Sequence, residues 1–404
     1  MAVLQIITLI KRGNNMTKNI IVLGATGSVG SQALDVARKR GYKIDIVSAA
    51  TDVDAMERAV REFSPRVAVM ANEDAAKDLS ARCGEIDTKI LFGEASLLEE
   101  IKCSKADVAV NAISGRAGLM PTLAIIDSGM RLALANKESL VIAGDIVMSR
   151  AKEMGVEILP VDSEHSAIFQ SLSGNRRSDV SKLILTASGG PFYGKSRGEV
   201  KFVSPDEVLS HPTWKMGKKI TADSATLMNK GFEVIEACHL FNIPEDKVDV
   251  VIHRESILHS AVEYIDRAII GQMSVPDMRE CVQYAVDYPE RKTGVIEPLD
   301  LVKIGKLTFA EPDYSAFPLL SLAKKAARDG GAMGAVLEAA DSRAVEAYFN
   351  GSICFGEIAD IISDVYEKMI YAKDYHDLEK ILSAHSEAGK LTDEIIRSKT
   401  KKQE

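Results

Sequence analysis

Cysteine is scarce and scattered in this sequence. Cys83, Cys103, Cys238, Cys281 and Cys354 form no C-x-x-C pair, which speaks against both a disulfide framework and a thiolate metal site. A reducing cytosol is the simplest setting for such a chain. An excess of positive charge is also missing. The net charge is −8 at pH 7, whereas a protein that binds a phosphate backbone needs surplus Lys and Arg. Nucleic acid is therefore excluded as the main partner, although a local basic pocket for one small phosphate is not. No apolar run reaches the length of a membrane span. The mostly apolar stretch from Ala2 to Ile10 covers nine residues, where roughly 20 are needed. Its charges, Lys11 and Arg12, follow the run instead of preceding it, and no small-residue cleavage site is present. No membrane partner is expected, and residues 1–15 read as an extension or a misassigned start. Internal repeats and low-complexity segments are lacking as well.

What is present is an ordinary globular balance, with 46% hydrophobic and 27% charged residues over 404 positions. That length predicts two or three domains and a sizeable buried core. Apolar runs at Ile20–Leu23, Ile44–Val47, Val67–Met70 and Val108–Asn111 read as strands. Helical patterns lie between or beside them at Gln32–Lys39, Val53–Phe63, Ala75–Arg82 and Pro121–Ser128. Strands at this spacing with intervening helices predict parallel β-α-β units, continued by Leu132–Ala135 and Glu157–Pro160. After Asp162 the texture changes to Gly-, Ser- and Asn-rich loops between strands such as Leu183–Thr186 and Val248–Ile252, a mixed α+β region. Pro289, Pro298 and Pro312 mark residues 288–313 as a linker. From Phe317 the pattern is helical, as in Leu319–Arg328 and Ile358–Met369, and Arg397–Glu404 reads as a frayed tail. The expected division is a β-α-β domain over 16–152, a mixed α+β domain over 153–287, and a C-terminal helical domain over 314–404.

Three segments carry chemistry. Gly24-Ala25-Thr26-Gly27-Ser28-Val29-Gly30 joins the first strand to the first helix, where glycines admit a pyrophosphate and a helix N-terminus offers it unpaired N–H groups. A tight structural turn would also use such glycines, but its place at the head of a β-α-β array favours the dinucleotide. In Asp162-Ser163-Glu164 both carboxylates face one point if the segment is extended. Two like charges held together call for a cation, and oxygen ligands favour Mg²⁺ or Mn²⁺. An isolated pair of this kind also fits a solvated loop, so a third ligand is needed. The stretch Asp223–Ala237 supplies candidates: Ser224, Asn229 and Lys230 stand ahead of an apolar helical pattern that contains Glu233 and Glu236. Hydroxyl, amide and ammonium donors suit a phosphate, although a capped surface helix accounts for the stretch taken alone.

Five segments together resemble the signature sequences of the 1-deoxy-D-xylulose 5-phosphate reductoisomerase family. They are Ala135–Ser139, Val161–His165, Ser188–Phe192, His211–Trp214 and the block from Asp223 to Glu233, in order within a similarity running from about Asn19 to about Met369. The resemblance implies a homodimer with a Rossmann-like domain, a central catalytic domain and a C-terminal helical domain. It also implies a metal-dependent rearrangement and NADPH-dependent reduction in the non-mevalonate isoprenoid pathway. By motif, Asp162, Glu164 and Glu233 would be the metal ligands, for Mn²⁺ or Mg²⁺. Ser188, Ser224, Asn229 and Lys230 would hold the substrate phosphate, while Lys137, Ser163 and Glu164 meet its carbonyl-hydroxyl end. His211 and Trp214 would belong to a lid over the substrate. Lys137, Glu164, His211 and Glu233 would take part in catalysis. Thr26, Gly27, Ser28, Val29, Asn136, Glu138 and Gly217 would touch the nucleotide, and His259 and Met278 would line the pocket. For the histidines other than His211, a structural role is the default.

Three departures from the family pattern stand out. His253-Arg254-Glu255-Ser256 replaces a His-Pro-Gln-Ser segment, and Glu338-Ala339-Ala340-Asp341-Ser342 replaces Asn-Ala-Ala-Asn-Glu. After the second strand, Ala50-Thr51-Asp52 stands where a small or basic segment receives the 2′-phosphate of NADPH. Thr51 and Asp52 are thus candidate cofactor contacts, and NADH becomes a competing cofactor. Two other functions remain in view. A dehydrogenase acting on an amino-acid semialdehyde would explain the glycine turn but not the carboxylates or the Ser-Asn-Lys cluster. A non-catalytic dinucleotide sensor would show no metal requirement.

Overall fold

The computed structural model describes residues 17–210 and 216–400. The expected extension at 1–15 and the lid residues His211 and Trp214 lie outside the described residues. The first layer is a seven-stranded sheet built from β1 (Asn19–Leu23), β2 (Lys43–Ala49), β3 (Val67–Met70), β4 (Lys89–Phe92), β5 (Val108–Asn111), β6 (Arg131–Leu134) and β7 (Ile158–Pro160). Their order is β4-β3-β2-β1-β5-β6-β7, and every neighbouring pair is parallel. Strands β3 and β5 are buried at every position, because helices cover both faces of such a sheet. That is why they read as continuous apolar runs without alternation.

The chain leaves β1 in one direction across the sheet and resumes at β5 in the other. A crevice therefore opens at the carboxyl ends of β1 and β5, the usual ligand position in open α/β sheets. Gly24, directly after β1, has φ +71°, and a Cβ there would lie 2.4 Å from the Ala112 carbonyl oxygen. Only glycine fits both constraints. The following helix runs Ser28–Arg40 and so starts before the expected Gln32. Extended Gly27 acts as its N-cap and brings Ser28 into the first turn.

Strand β7 pairs with β6, so the parallel sheet continues past the expected domain boundary at 152. A second sheet contains β8 (Val180–Ala187), β9 (Val248–Ile252), β10 (Leu258–Tyr264) and β11 (Ile269–Met273), in the order β11-β10-β8-β9. The β8/β9 pair is parallel and the other two are antiparallel. The segment 288–313 is not a free linker: it holds a short helix at Leu301–Ile304, and Ala310 bridges to Ile252.

Helices Leu319–Asp329, Met333–Phe349, Phe355–Lys368 and Leu378–Thr400 complete the C-terminal part. The expected fraying from Arg397 does not begin there, because Ile395 and Ile396 are buried and the helix continues to Thr400. Two glycines set how these helices meet the rest of the protein. A Cβ on Gly334 would fall 2.1 Å from the Val141 carbonyl oxygen, and one on Gly231 would fall 2.4 Å from the Ala323 methyl. Helix Met333–Phe349 thus lies backbone to backbone on helix Glu138–Met154. Helix Leu319–Asp329 lies equally close to helix Met228–Phe241. The two gripped helices are those that carry the site.

Candidate active site

Asp162 ends the loop after β7 and is the N-cap of helix Ser163–Leu172, where its carboxylate accepts the Glu164 N–H. The convergence of Asp162 and Glu164 therefore comes from a capping turn and not from the extended segment expected, because the helix begins at Ser163. Glu233 enters from helix Met228–Phe241 and is 1% exposed. Asp162, Glu164 and Glu233 can each place one carboxylate oxygen within 4.8 Å of the others. An all-oxygen set of this size fits a hard divalent cation.

Two ammonium groups enter the same space. Lys137 Nζ lies 2.9 Å from Asp162 Oδ2, donates to Glu233 Oε1 at 2.9 Å and donates to Asn229 Oδ1 at 2.8 Å. Lys230 Nζ donates to Glu164 Oε1 at 2.8 Å and to Glu233 Oε2. Asn229 Nδ2 also donates to Glu233 Oε1, and Ser163 Oγ donates to Glu164 Oε2, both at 2.6 Å. Burial opposes the charge on Lys137, but Asp162 and Glu233 outweigh it and hold its pKa well above the ordinary lysine value. Burial likewise opposes ionisation of Asp162, yet Lys137 and His165 keep this carboxyl well below its usual range. Glu164 is pushed up to about 7 by burial and by the charge of Glu233, with Lys230 pulling the other way. Three carboxylates thus converge around two ammonium groups, and a divalent ion would draw the same oxygens together.

Of the expected phosphate group, Asn229 and Lys230 turn toward the carboxylates. The loop that follows Ser188 closes on the backbone of Ser224, since a Cβ on Gly190 would meet the Ser224 carbonyl oxygen at 2.7 Å. On the nucleotide side, Gly27 and Ser28 are exposed at the helix N-terminus, with Thr26 and Val29 half-buried beside them. The first turn of that helix has no acidic residue to oppose a pyrophosphate. A Cβ on Gly30 would lie 2.1 Å from the Gly24 carbonyl oxygen, so this glycine closes the turn. Gly217 caps helix Lys218–Thr226 and is exposed.

Asn136 is a clamp. Its amide donates to the Ile113 and Gly115 carbonyls and to Glu138, while its oxygen accepts the Ser139 N–H. Asp52 is the N-cap of helix Val53–Phe63 and accepts the Ala55 N–H at 3.0 Å, with Thr51 exposed beside it. His259 is buried against the Ser274 hydroxyl at 2.8 Å, and burial lowers its pKa to about 4, so it is neutral. Met278 caps helix Arg279–Asp287 and packs against the core of the first sheet.

Two residues stand behind the carboxylates: Glu236, named from the sequence beside Glu233 without a role, and His165, for which only a structural role was expected. His165 Nδ1 lies 3.2 Å from Asp162 Oδ1 and 3.4 Å from Glu236 Oε2, and its Nε2 lies 2.9 Å from the Glu233 carbonyl oxygen. Burial opposes its charge, but Glu236 and Asp162 raise its pKa to about 9. Glu236 is itself pushed up to about 8 by burial. Their spacing was a usable signal: His165 is three residues after the cap Asp162, and Glu236 is three after Glu233, which puts each on its partner's helix face.

Comparison with known proteins follows the same outline. Residues 20–144 match the family described as 1-deoxy-D-xylulose 5-phosphate reductoisomerase. Residues 158–241 and 273–391 match the two C-terminal domain descriptions of that enzyme. The chain is 48% identical over 382 residues to the 1-deoxy-D-xylulose 5-phosphate reductoisomerase of Acetivibrio thermocellus, covering 95% of this chain and 100% of the relative. It is 51% identical over 353 residues to the enzyme of the same name from Caldanaerobacter subterraneus subsp. tengcongensis, covering 87% and 92%. Among solved structures, a DOX-P reductoisomerase in complex with NADPH, fosmidomycin and magnesium superposes with TM-score 0.90 at 40% identity, covering 94% of this chain and 98% of that one. The enzyme from Zymomonas mobilis in complex with NADPH gives TM-score 0.88 at 38% identity, covering 95% and 100%.

The carboxylate cluster can be tested without turnover. Saturating Mn²⁺ or Mg²⁺ should raise the melting temperature, since a ligand at a hundred times its Kd stabilises by about 2.7 kcal/mol. Glu233→Gln should lose most of that cation-dependent shift. An undiminished shift in the variant would remove Glu233 from the ligand set.

Proposed function

The chain belongs to the 1-deoxy-D-xylulose 5-phosphate reductoisomerase family, and we propose that Asp162, Glu164 and Glu233 hold its divalent cation while Ser188, Ser224, Asn229 and Lys230 receive the substrate phosphate. The reaction is the rearrangement and NADPH-dependent reduction of 1-deoxy-D-xylulose 5-phosphate to 2-C-methyl-D-erythritol 4-phosphate in the non-mevalonate isoprenoid pathway. The cofactors are NADPH and Mg²⁺ or Mn²⁺. The observation that carries the assignment of residues is the convergence of three carboxylates, Glu233 buried and Asp162 and Glu164 half-buried, with the two buried lysines Lys137 and Lys230.

A divalent ion supplies polarisation of the substrate carbonyl and NADPH supplies the hydride. The protein's own groups do the rest. Lys137 keeps its proton, because Asp162 and Glu233 hold it, and so serves as a donor toward a developing oxyanion next to the carboxylates. Lys230, bonded to Glu164 and Glu233, would bring its charge to the substrate phosphate. His165 fixes Asp162 and the backbone at Glu233 from behind. The Gly24–Gly30 turn presents the N-terminus of helix Ser28–Arg40 to the pyrophosphate. His211 and Trp214 complete the proposal as lid residues that exclude water. With the carboxylates and the Ser-Asn-Lys group assigned, neither a semialdehyde dehydrogenase nor a dinucleotide sensor explains the site. NADPH oxidation should require both 1-deoxy-D-xylulose 5-phosphate and a divalent cation. Full turnover after exhaustive chelation would overturn the role given to the three carboxylates.

We also propose a homodimer in the cytosol. Strand β11 is an edge strand of the second sheet, yet Ile269, Ile270 and Met273 on it are 59%, 42% and 41% exposed. An apolar edge of this kind pairs with other chains unless it is covered, and a second copy would cover it. The five cysteines are free thiols, as a reducing compartment requires. Among the described residues no helix is long and apolar enough to cross a membrane. Gel filtration of fractionated cells should find the activity in the cytosolic fraction at the size of two chains. Activity in the membrane pellet would overturn the location, and elution as one chain would overturn the dimer.

The third part of the proposal concerns the cofactor. Asp52 brings a negative charge to the end of β2, where the 2′-phosphate of NADPH is expected, and this reduces discrimination against NADH. Because Asn caps helices about as well as Asp, Asp52→Asn removes the charge and keeps the cap. The NADPH-to-NADH ratio of kcat/KM should rise about tenfold, equivalent to about 1.4 kcal/mol. A strong native preference for NADPH that this substitution does not change would refute the role of Asp52.

A further inference from the structure

We infer that Arg254 is a positioning residue for the substrate phosphate, acting through the Ser188–Gly190 loop. The inference rests on the reading of Ser188 as a phosphate contact.

Gly189 and Gly190 follow β8 with φ of +78° and +65°. Two adjacent glycines leave the peptide planes of the loop free to turn, because no Cβ restricts them. A turned plane would aim a carbonyl oxygen, with its partial negative charge, at an anion in the pocket. Arg254 prevents this. Its Nη1 donates to the Ser188 carbonyl at 3.2 Å and to the Gly190 carbonyl at 2.9 Å, so one guanidinium spans the loop and fixes both oxygens on its own side. Its Cζ also lies 5.1 Å from the centre of the Tyr193 ring. The Tyr193 side chain packs on the loop, with Cδ2 3.2 Å from where a Gly189 Cβ would stand. On its far side the loop rests on Ser224, since the Gly190 position admits no Cβ against that carbonyl. The two serines of the phosphate group thus depend on one loop geometry.

Arg254 is itself held in place. It sits in the turn after β9, where the His253 N–H donates to the Ala187 carbonyl at 2.7 Å. His253 Nδ1 lies 2.9 Å from the Thr308 carbonyl oxygen, and its Nε2 accepts the Ile257 and Leu258 N–H groups. Glu255 accepts the Thr308 hydroxyl at 2.7 Å. The segment 253–256 is one of the departures from the family pattern. A proline at 254 could donate to neither carbonyl, so the brace depends on this departure.

The test is steady-state kinetics of Arg254→Met and Arg254→Lys with 1-deoxy-D-xylulose 5-phosphate and with its unphosphorylated sugar, with inorganic phosphate as a competitive inhibitor. Arg254→Met should raise both the KM for the phosphorylated substrate and the Ki of phosphate about tenfold while kcat stays within about twofold. The KM for NADPH and the efficiency with the unphosphorylated sugar should not move. Arg254→Lys, with one ammonium for two carbonyls, should fall between native and Arg254→Met. A native KM in Arg254→Met, or an equal loss with both sugars, overturns the inference. If Arg254→Met fails to fold, the KM of Arg254→Lys decides by the same criterion. Ser188→Ala separates this inference from the reading beneath it. If Ser188→Ala changes neither KM nor Ki, the phosphate assignment of the loop fails. If it raises both while Arg254→Met raises neither, only the role of Arg254 fails.

Discussion

The carboxylates of Asp162, Glu164 and Glu233 share one buried space with the ammonium groups of Lys137 and Lys230, and no member of this set can be placed independently of the others. Each lysine bonds two carboxylates from different elements. The charges therefore tie the start of helix Glu138–Met154, the cap of helix Ser163–Leu172 and the middle of helix Met228–Phe241 to one point. In a low-dielectric interior an ion that loses its partner costs several kcal/mol. The surrounding structure must hold these three elements in register for the cluster to form at all. The convergence of three carboxylates makes the same place suited to a cation.

That register comes from contacts that leave little room for a side chain. The C-terminal helices press on the two long site helices at Gly334 and Gly231, where a single added carbon would collide. The helical region thus acts as a backing plate for the chemistry, although the described contacts give it no ligand of its own. Capping works in a similar way at a smaller scale. Asp162 ends the first sheet's last loop and starts a helix in one step, which sets its carboxylate at the carboxyl edge of the sheet. Asn136 uses both ends of its amide to fasten the segment that leads into Lys137. His165 and Glu236 then brace the carboxylates from the protein side. Arg254 performs the corresponding task for the Ser188–Gly190 loop.

Much of the first sheet was legible because its signals are local. The runs Val67–Met70 and Val108–Asn111 are apolar at successive positions, and that is the signature of strands covered on both faces. The glycine turn was legible for a related reason, since Gly30 answers to the Gly24 carbonyl within the same short stretch, although the approach of Ala112 to Gly24 is a tertiary contact. β10 and β11 were not anticipated. The pairing of β10 with β8 joins residues far apart in sequence, and β11, an edge strand paired with β10 that has apolar residues on both sides, lacks the alternation that announces a half-buried strand. The way Asp162 and Glu164 converge was misjudged, because residues two apart suit either a strand or a cap, and helix formation from Ser163 decides between them.

The sequence by itself determined the order of elements, the glycine turn, the motifs that resemble the reductoisomerase family and, through that resemblance, the candidate site residues. These depend on spacing along the chain, which periodicity and motif record directly. Only the tertiary structure decided that Lys230 bonds Glu164 and Glu233, that His165 and Glu236 support the carboxylates, and that Arg254 spans the Ser188–Gly190 loop. Each of these is a contact between side chains or backbones brought together by packing. Its energy depends on distance and burial, and neither quantity is written in the local pattern of residues.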